Sequence, residues 1–527
     1  LCTRKKWVEP VLPPFPPIFY ALNHIFYPLN VPFQMKRYFL PLLMLFISAA
    51  GFTQTVSDVL RYSYLQPGGT ARYLGAGGAF GALGAEFGAI SQNPAGLAMF
   101  RTNELVITPS LKFSSTESRL PGNTPLTDDK SAFGFDNFGM VFNTTPTNSE
   151  WKTFNVGIGL NRQNNYHQSI YYEGQAQGSI MNDFFADARS TFNSGGSEED
   201  LYPFGSGLAW NTNAIYFQND TLKYDLYDNP NAVLDRSQTL TTYGRMNEMV
   251  LSFAGNYDER LMVGVTVGVP FVNYRIEGEY NESDPGGGVD GNVQYFDKLT
   301  YTEYLRTEGV GINVKLGVIY KISQALRIGG AFHTPTALRL TDTYSNTFQY
   351  SYEDGSGPFT SDVENSPEGT FDYRLRTPWR AIASAAVVIK KYGFLSADVE
   401  WVDYGANRYN LNAQVPSSEN EQLERSLNND IQRAYRQALN VRLGGELAVD
   451  KFRFRAGVNM NGDPEEGQND FNMGYSVGAG VRGKAFYLDL GYRRGTGKGS
   501  VSPYASAPVA TTDVVSSDVL MTLGFKF

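Results

Sequence analysis

The chain ends in a strict two-residue alternation. Val519, Met521, Leu523, Phe525 and Phe527 fall on one side, and Leu520, Thr522, Gly524 and Lys526 on the other. A period of two puts alternate side chains on opposite faces of a β-strand, whereas one face of a helix would need a period near 3.6. The pattern recurs upstream. Phe452, Phe454, Ala456, Val458 and Met460 alternate with Arg453, Arg455, Gly457 and Asn459, and Phe486, Leu488, Leu490 and Tyr492 with Tyr487, Asp489, Gly491 and Arg493. One face is apolar and the other carries Arg, Asp, Asn and Gly. A soluble sandwich turns its apolar face inward, but a barrel in a membrane turns it outward and keeps a polar lumen.

The connections separate these two cases. Those at 257–260, 322–324, 391–393, 449–451 and 482–484 are very short. Those at 116–131, 175–245, 281–299, 351–369, 413–433, 462–471 and 497–515 are long and polar, and the two kinds alternate. Such sorting belongs to an outer-membrane barrel, with tight periplasmic turns and long external loops. The expected fold is all-β, an antiparallel transmembrane β-barrel of about fourteen strands. After residue 50 no run of about 18 apolar residues occurs, so no spanning helix is expected. Two of the long loops carry helical spacing: Ile180, Phe184, Phe185, Ala188 and Phe192 in one, Leu423, Leu427, Ile431 and Tyr435 in the other.

A net charge of −9 argues against a nucleic-acid partner, which asks for basic stripes. The single cysteine, Cys2, provides neither a disulfide nor a thiolate metal site. Met35-Lys36-Arg37 followed by YFLPLLMLFISAA reads as a secretory signal peptide, so residues 1–34 are expected to lie upstream of the true start. His167 and His333 stand apart from any metal-ligand spacing, no nucleophile elbow occurs, and the Gly-rich GAGGAF lacks the lysine of a phosphate loop. Asp398 and Glu400 share a strand face without a Ser or His partner and read as lumen charge. Arg442, Arg453 and Arg455 are expected to pair with Glu446, Asp489 and similar groups across the lumen. No catalytic residue, metal or cofactor is expected, and the chain is not expected to be an enzyme.

Between the signal peptide and the first strand lies ARYLGAGGAFGALGAEFGAISQNPAGLAMF. It is too broken by Gly for a surface helix and too apolar for a linker; a compact plug with close backbone contacts suits it. With the terminal Phe527 and about fourteen strands, this segment resembles the N-terminal hatch of the FadL/TodX family, outer-membrane transporters of long-chain fatty acids and other hydrophobic compounds. Looser echoes lie at Ala331–Pro335, Thr377–Arg380, Leu395–Trp401 and Arg453–Gly457. The resemblance implies a signal peptide at 35–54, a hatch at 55–102 and a barrel with long extracellular loops at 103–527.

It also implies a mechanism. A fatty acid, aromatic or lipid-like molecule is caught by the outer loops and moves to a pocket against the hatch. It then leaves sideways into the outer-membrane lipids beside an inward kink in the third strand. Asn93, Pro94 and Ala95 would gate the hatch, with Phe80, Phe87 and Phe100 facing the ligand, and Gly157 and Gly159 are the candidate kink. Phe527 would be read by the barrel-assembly machinery. Within the same resemblance, some barrels serve instead as docking partners or shuttles in protein secretion. Haem uptake and an outer-membrane enzyme are further alternatives, and a lumen blocked by Arg–Glu pairs would favour docking.

Overall fold

A computed structural model describes residues 56–286, 291–354, 356–411, 417–468 and 471–527. The expected signal peptide, residues 1–34 and Cys2 lie outside the described residues.

The described chain forms a closed antiparallel barrel of 14 strands. In chain order these are β1 (Glu104–Arg119), β2 (Leu126–Thr144), β3 (Trp151–Asn165, continued by Gln168–Gln177), β4 (Val233–Tyr257), β5 (Leu261–Ser283) and β6 (Phe296–Lys321). There follow β7 (Leu326–His333 and Ala337–Asp354), β8 (Gly369–Arg376 and Arg380–Ile389) and β9 (Gly393–Asp403 and Arg408–Asn410). The circuit ends with β10 (Gln437–Val449), β11 (Phe452–Gly462), β12 (Phe471–Arg482), β13 (Phe486–Val501) and β14 (Ala510–Lys526), which pairs back onto β1 from Glu104↔Lys526 to Arg119↔Thr511.

The alternation behaves as a membrane barrel requires. Val519, Met521, Phe525, Phe452, Phe454, Phe486 and Leu490 point outward and are exposed, while Leu520, Thr522, Arg455 and Asp489 point inward and are buried. An exposed apolar band around a closed sheet is stable only against lipid.

Two strands are interrupted at the same height. β7 breaks at Thr334–Thr336 and β8 at Thr377–Trp379, where Pro335 and Pro378 have no N–H for the ladder. Thr377 N donates to Thr336 O at 3.0 Å and Thr334 N to Val314 O at 2.9 Å, so the wall stays bonded across the interruption. The motifs His333-Thr334-Pro335 and Thr377-Pro378 are these breaks.

The chain ahead of β1 fills the lumen. It contains α1 (Asp58–Ser63), α2 (Ala71–Gly75) and two 3₁₀ turns, Gly88–Ser91 and Pro94–Met99. Beyond the outer end, the expected loop at 175–245 is shorter, because β4 begins at Val233, and it folds as a cap. In it are α3 (Ile180–Asn193), α4 (Ser206–Asn211) and a hairpin of Ile215–Gln218 with Thr221–Tyr224. Met181, Phe185, Leu208 and Ile215 pack with Tyr280, Phe296, Phe348 and Tyr350 of the barrel rim in one apolar cluster. The second helical loop is α5 (Ser418–Ala434), whose Leu427 and Ile431 face the lumen cluster described below. The two expected helices stand where the spacing put them.

Candidate functional site

The hatch is fixed by close backbone contact with the wall. Inward positions of several strands are glycine because the hatch occupies the volume of a side chain. A Cβ at Gly444 would lie 2.0 Å from Ala76 O, and one at Gly317 2.0 Å from Asn93 Oδ1. Nothing larger fits at those positions.

Asn93 joins the hatch to the wall. Its Oδ1 accepts from Ala95 N at 3.1 Å, capping the 3₁₀ turn that Pro94 opens. Its Nδ2 donates to Gly81 O at 2.6 Å, with Val318 O at 3.2 Å and Gly330 O at 3.4 Å on β6 and β7. Phe80, Phe87 and Phe100 are buried in the hatch–wall seam. Phe80 meets Phe394 edge-on at 5.5 Å, and Phe87 lies over the space left by Gly139 and Gly159. Asn143 and Asn155 both donate to Phe100 O, at 2.9 and 3.0 Å. None of the three rings lines either of the cavities described below.

Around the hatch the lumen is crossed by ion pairs. Glu400 lies between Arg380 at 2.7 Å and Arg442 at 2.9 Å. Arg455 joins Glu446 at 2.6 Å and Asp489 at 2.8 Å, and Arg72 of the hatch reaches Glu446 at 3.2 Å. Arg453 reaches the same carboxylate only at 3.9 Å. Arg162 pairs with Asp136 at 2.8 Å. The expected pairing of Arg455 with Glu446 and Asp489 is present, and the partner of Arg442 is Glu400. Asp398 instead holds the hatch, accepting from Gln92 Nε2 at 2.7 Å and Gly81 N at 3.2 Å. His333 lies within hydrogen-bond distance of Gln92 O, at 2.8 Å. Burial pushes the Tyr73 hydroxyl of the hatch up to about 12, so it stays a donor, and it reaches Gln92 Oε1 at 3.4 Å.

Above this charged layer the lumen is largely apolar, and α1 fills it, its own Asp58 and Arg61 paired at 2.7 Å. Val59 and Tyr62 are buried in a cluster with Tyr166, Met246, Val272, Tyr274, Leu338, Leu340, Tyr373 and Val402, under Leu427 and Ile431 of α5. The last turn of α1 is held by polar groups. Asn407 Nδ2 donates to Ser63 Oγ at 3.1 Å, Asn164 Nδ2 to Tyr64 O at 3.1 Å and Tyr166 OH to Arg61 O at 3.2 Å. Between α1 and the hatch remains a cavity of about 50 Å³, lined by Ser91, Gln92, Glu248, Lys315, His333 and Arg380 among others. A second, polar cavity of about 280 Å³ adjoins it, sharing Leu65, Pro67, Tyr73 and Arg442. Its lining includes Lys112, His167, Arg442 and Arg493 and, among the described residues, no carboxylate.

The wall itself is incomplete beside α1. β2 pairs with β1 along its length, but with β3 only from Asn137↔Asn161 to Thr144↔Phe154. Beyond Asn161 the β3 side chains stop alternating, and Asn161, Arg162, Gln163 and Asn164 are all buried. The pairing of β3 with β4 slips by a residue between Arg162 and Asn164. The continuation Gln168–Gln177 has a ladder partner in β4 alone. The outer half of β2, from Leu126 to Asp136, therefore has no ladder partner on that side. Gly157 and Gly159 stay in register opposite Val141 and Gly139, and the strand leaves its neighbour after Asn161. The two glycines give room to the hatch instead: a Cβ would lie 3.2 Å from Leu97 Cδ1 at Gly157 and 2.6 Å from Phe87 Cζ at Gly159.

No family model and no curated protein matches the chain in sequence. Solved structures do match in shape. A FadL homologue of Pseudomonas aeruginosa superposes over 88% of this chain and 100% of its own, with a TM-score of 0.51 at 12% identity. A deltaS2 mutant of the TodX monoaromatic hydrocarbon channel superposes over 87% of this chain and 98% of its own, with a TM-score of 0.50 at 12% identity. With its apolar outer band and plugged lumen, the chain is a membrane-spanning β-barrel of the outer-membrane kind, sharing its fold with a FadL homologue and with TodX.

Proposed function

We propose that the chain is a bacterial outer-membrane transport protein that takes up hydrophobic compounds, long-chain fatty acids or aromatic hydrocarbons, and releases them sideways. The observation that carries this reading is the position of α1, whose Val59 and Tyr62 are seated in a largely apolar chamber beside the break between β2 and β3. A greasy ligand and α1 want the same surface. Val59 and Tyr62 together gain on the order of 3–5 kcal/mol from burial, a sum that an apolar molecule of similar area can match. Straight passage inward meets the Glu400, Glu446 and Asp489 ion pairs, where an apolar molecule would strip charges of their partners at several kcal/mol each. The break in the wall bypasses those three ion pairs and opens beside the chamber toward lipid. Asn93-Pro94-Ala95 anchors the floor, and its release lets the hatch yield.

The test pins the two lips of the break. Ser169 Oγ already lies 2.5 Å from Asp128 Oδ2 across it. In an Asp128→Cys/Ser169→Cys variant, oxidation should abolish uptake of a labelled fatty acid or toluene, and reduction should restore it. Equal uptake by the oxidised and reduced forms would refute lateral release.

The charged layer under α1 favours a second reading, a docking body in protein secretion whose contact surface is the folded cap. On that reading the oxidised variant remains fully functional, and removal of 180–227 abolishes secretion.

A further inference from the structure

Five buried cations of the lumen are neutralised. Arg162, Arg380, Arg442, Arg455 and Lys315 each lie within 4.0 Å of a carboxylate. The break between β2 and β3 is different. Lys130 of β2 lies over the Tyr243 ring, its Nζ 4.0 Å from the centroid, and Arg275 of β5 lies over the same ring at 4.3 Å. The His167 ring stands 6.3 Å from Tyr243. Arg245 of β4 reaches under β2, its Nη1 2.9 Å from where a Cβ on Gly134 would stand. Deeper in, Lys112 Nζ donates to Asn165 O at 3.2 Å. Arg275 has Glu277 at 3.3 Å, but among the described residues neither Lys130, Arg245 nor Lys112 forms an ion pair. Asp128, on the same face of β2 as Lys130, accepts from Ser169 Oγ and forms no ion pair with Lys130 or Arg245.

The height of this cluster in the membrane follows from β2 itself. Its outward residues are Phe142, Phe138, Phe135 and Phe133, all exposed, and then Ser131 and Asp129. The change from Phe to Ser and Asp marks the outer edge of the apolar band. Lys130 stands there, at the level of lipid headgroups. On β4 the same change runs from Leu251 and Met249 to Arg245 and Tyr243. Two cations without an ion pair, Lys130 and Arg245, beside an unpaired strand edge at headgroup depth, form a receptor for negative charge. The carboxylate-free cavity behind them, shared by Lys112 and His167, carries the same field inward.

We propose that the outer half of the β2–β3 break binds the acidic headgroup of an outer-leaflet amphiphile. Lys130 and Arg245 receive its phosphate or carboxylate oxygens, and its chain lies along Phe133 and Phe135. The Phe133 and Phe135 rings meet edge-on at 5.5 Å on the free strand and make the apolar half of the site. This goes beyond the transport reading, because it requires only the break and the cations. An occupied site would also seal the slit against water.

The test is equilibrium binding to the purified full-length protein in a neutral maltoside detergent, with dodecyl phosphate, dodecanoate, dodecanol and inorganic phosphate as probes. Dodecyl phosphate and dodecanoate should bind at least about tenfold more tightly than dodecanol, as charge-assisted hydrogen bonds require. A Lys130→Gln/Arg245→Gln variant should lose that preference, and a Lys130→Arg/Arg245→Lys variant should keep it. Heat-modified migration on gels verifies that each barrel is folded. Dodecanol binding as tightly as dodecyl phosphate, or an unchanged preference in the Gln variant, would overturn the site. Inorganic phosphate binding as tightly as dodecyl phosphate would overturn the lipid assignment in favour of a free-anion site. Uptake does not enter these measurements, so lateral release and this site fail or stand separately.

Discussion

Replacing Asn93 by Ala should loosen the hatch and leave the barrel untouched. The substitution removes the cap on Ala95 N, a loss of about 1 kcal/mol. It also leaves the Gly81 carbonyl, 2.6 Å from Nδ2, without its donor in a buried seam, at about 1–3 kcal/mol. The sum, about 2–4 kcal/mol, raises the local opening constant of the 3₁₀ turn roughly a hundredfold, at about 1.4 kcal/mol per factor of ten. The barrel ladder contains no Asn93 hydrogen bond essential to its register, since Val318 and Gly330 pair with each other in any case. Hydrogen exchange read by mass spectrometry over 88–100, with the β13 and β14 peptides as internal reference, measures both at once. Asn93→Asp separates the two roles, because it keeps an acceptor for Ala95 N but turns an oxygen toward Gly81 O. It should exchange at least as fast as Asn93→Ala. Unchanged protection of 88–100 in Asn93→Ala, or full protection in Asn93→Asp, would refute the anchoring argument.

Three further outcomes follow from the same geometry. Gly317→Ala puts a methyl 2.0 Å from Asn93 Oδ1 and 3.0 Å from Ala95 N, so limited proteolysis should cut the hatch while the barrel keeps its heat-modified migration. Tyr62→Ala empties the largest part of the α1 seat, costs α1 about 3 kcal/mol and should tighten binding of an apolar fluorescent probe by more than tenfold; equal affinity would mean that α1 does not compete. In the cap, burial raises the Asp187 carboxyl above its usual range even though Ser206 Oγ donates to it at 2.5 Å. Its contribution to cap stability is therefore full below the ordinary Asp range and is lost as pH rises through the raised value. Asp187→Asn should flatten that pH dependence in thermal melts of the cap.

The barrel was legible because each strand carries its own evidence. Alternation in Phe452–Met460 or Val519–Phe527 is local, and a long loop after every short turn sets the topology. The plug was legible from composition, and the wall glycines explain why: hatch and barrel touch through backbone, so both are rich in Gly. The break in the third strand was harder to read. Gly157 and Gly159 attract attention as strand breakers, yet their vacancies face Leu97 and Phe87, contacts set only by the folded hatch. The true departure, Asn161–Asn164, is a run of polar residues with no period. Phe80, Phe87 and Phe100 looked ready for a ligand because exposure is invisible in a sequence; in the fold they bind hatch to wall. α1 was hidden for another reason. Six residues are too few for a helical period, and its role comes from partners more than a hundred residues away, such as Tyr274, Leu338 and Tyr409.

The central claim is that α1 holds the place of the ligand. Hydrogen exchange of the amides of Val59–Ser63, with and without saturating long-chain fatty acid or toluene, tests it most directly. If ligand displaces α1, these amides exchange faster in its presence, while those of β13 and β14 do not change. Exchange that is unchanged or slower with bound ligand would contradict the account.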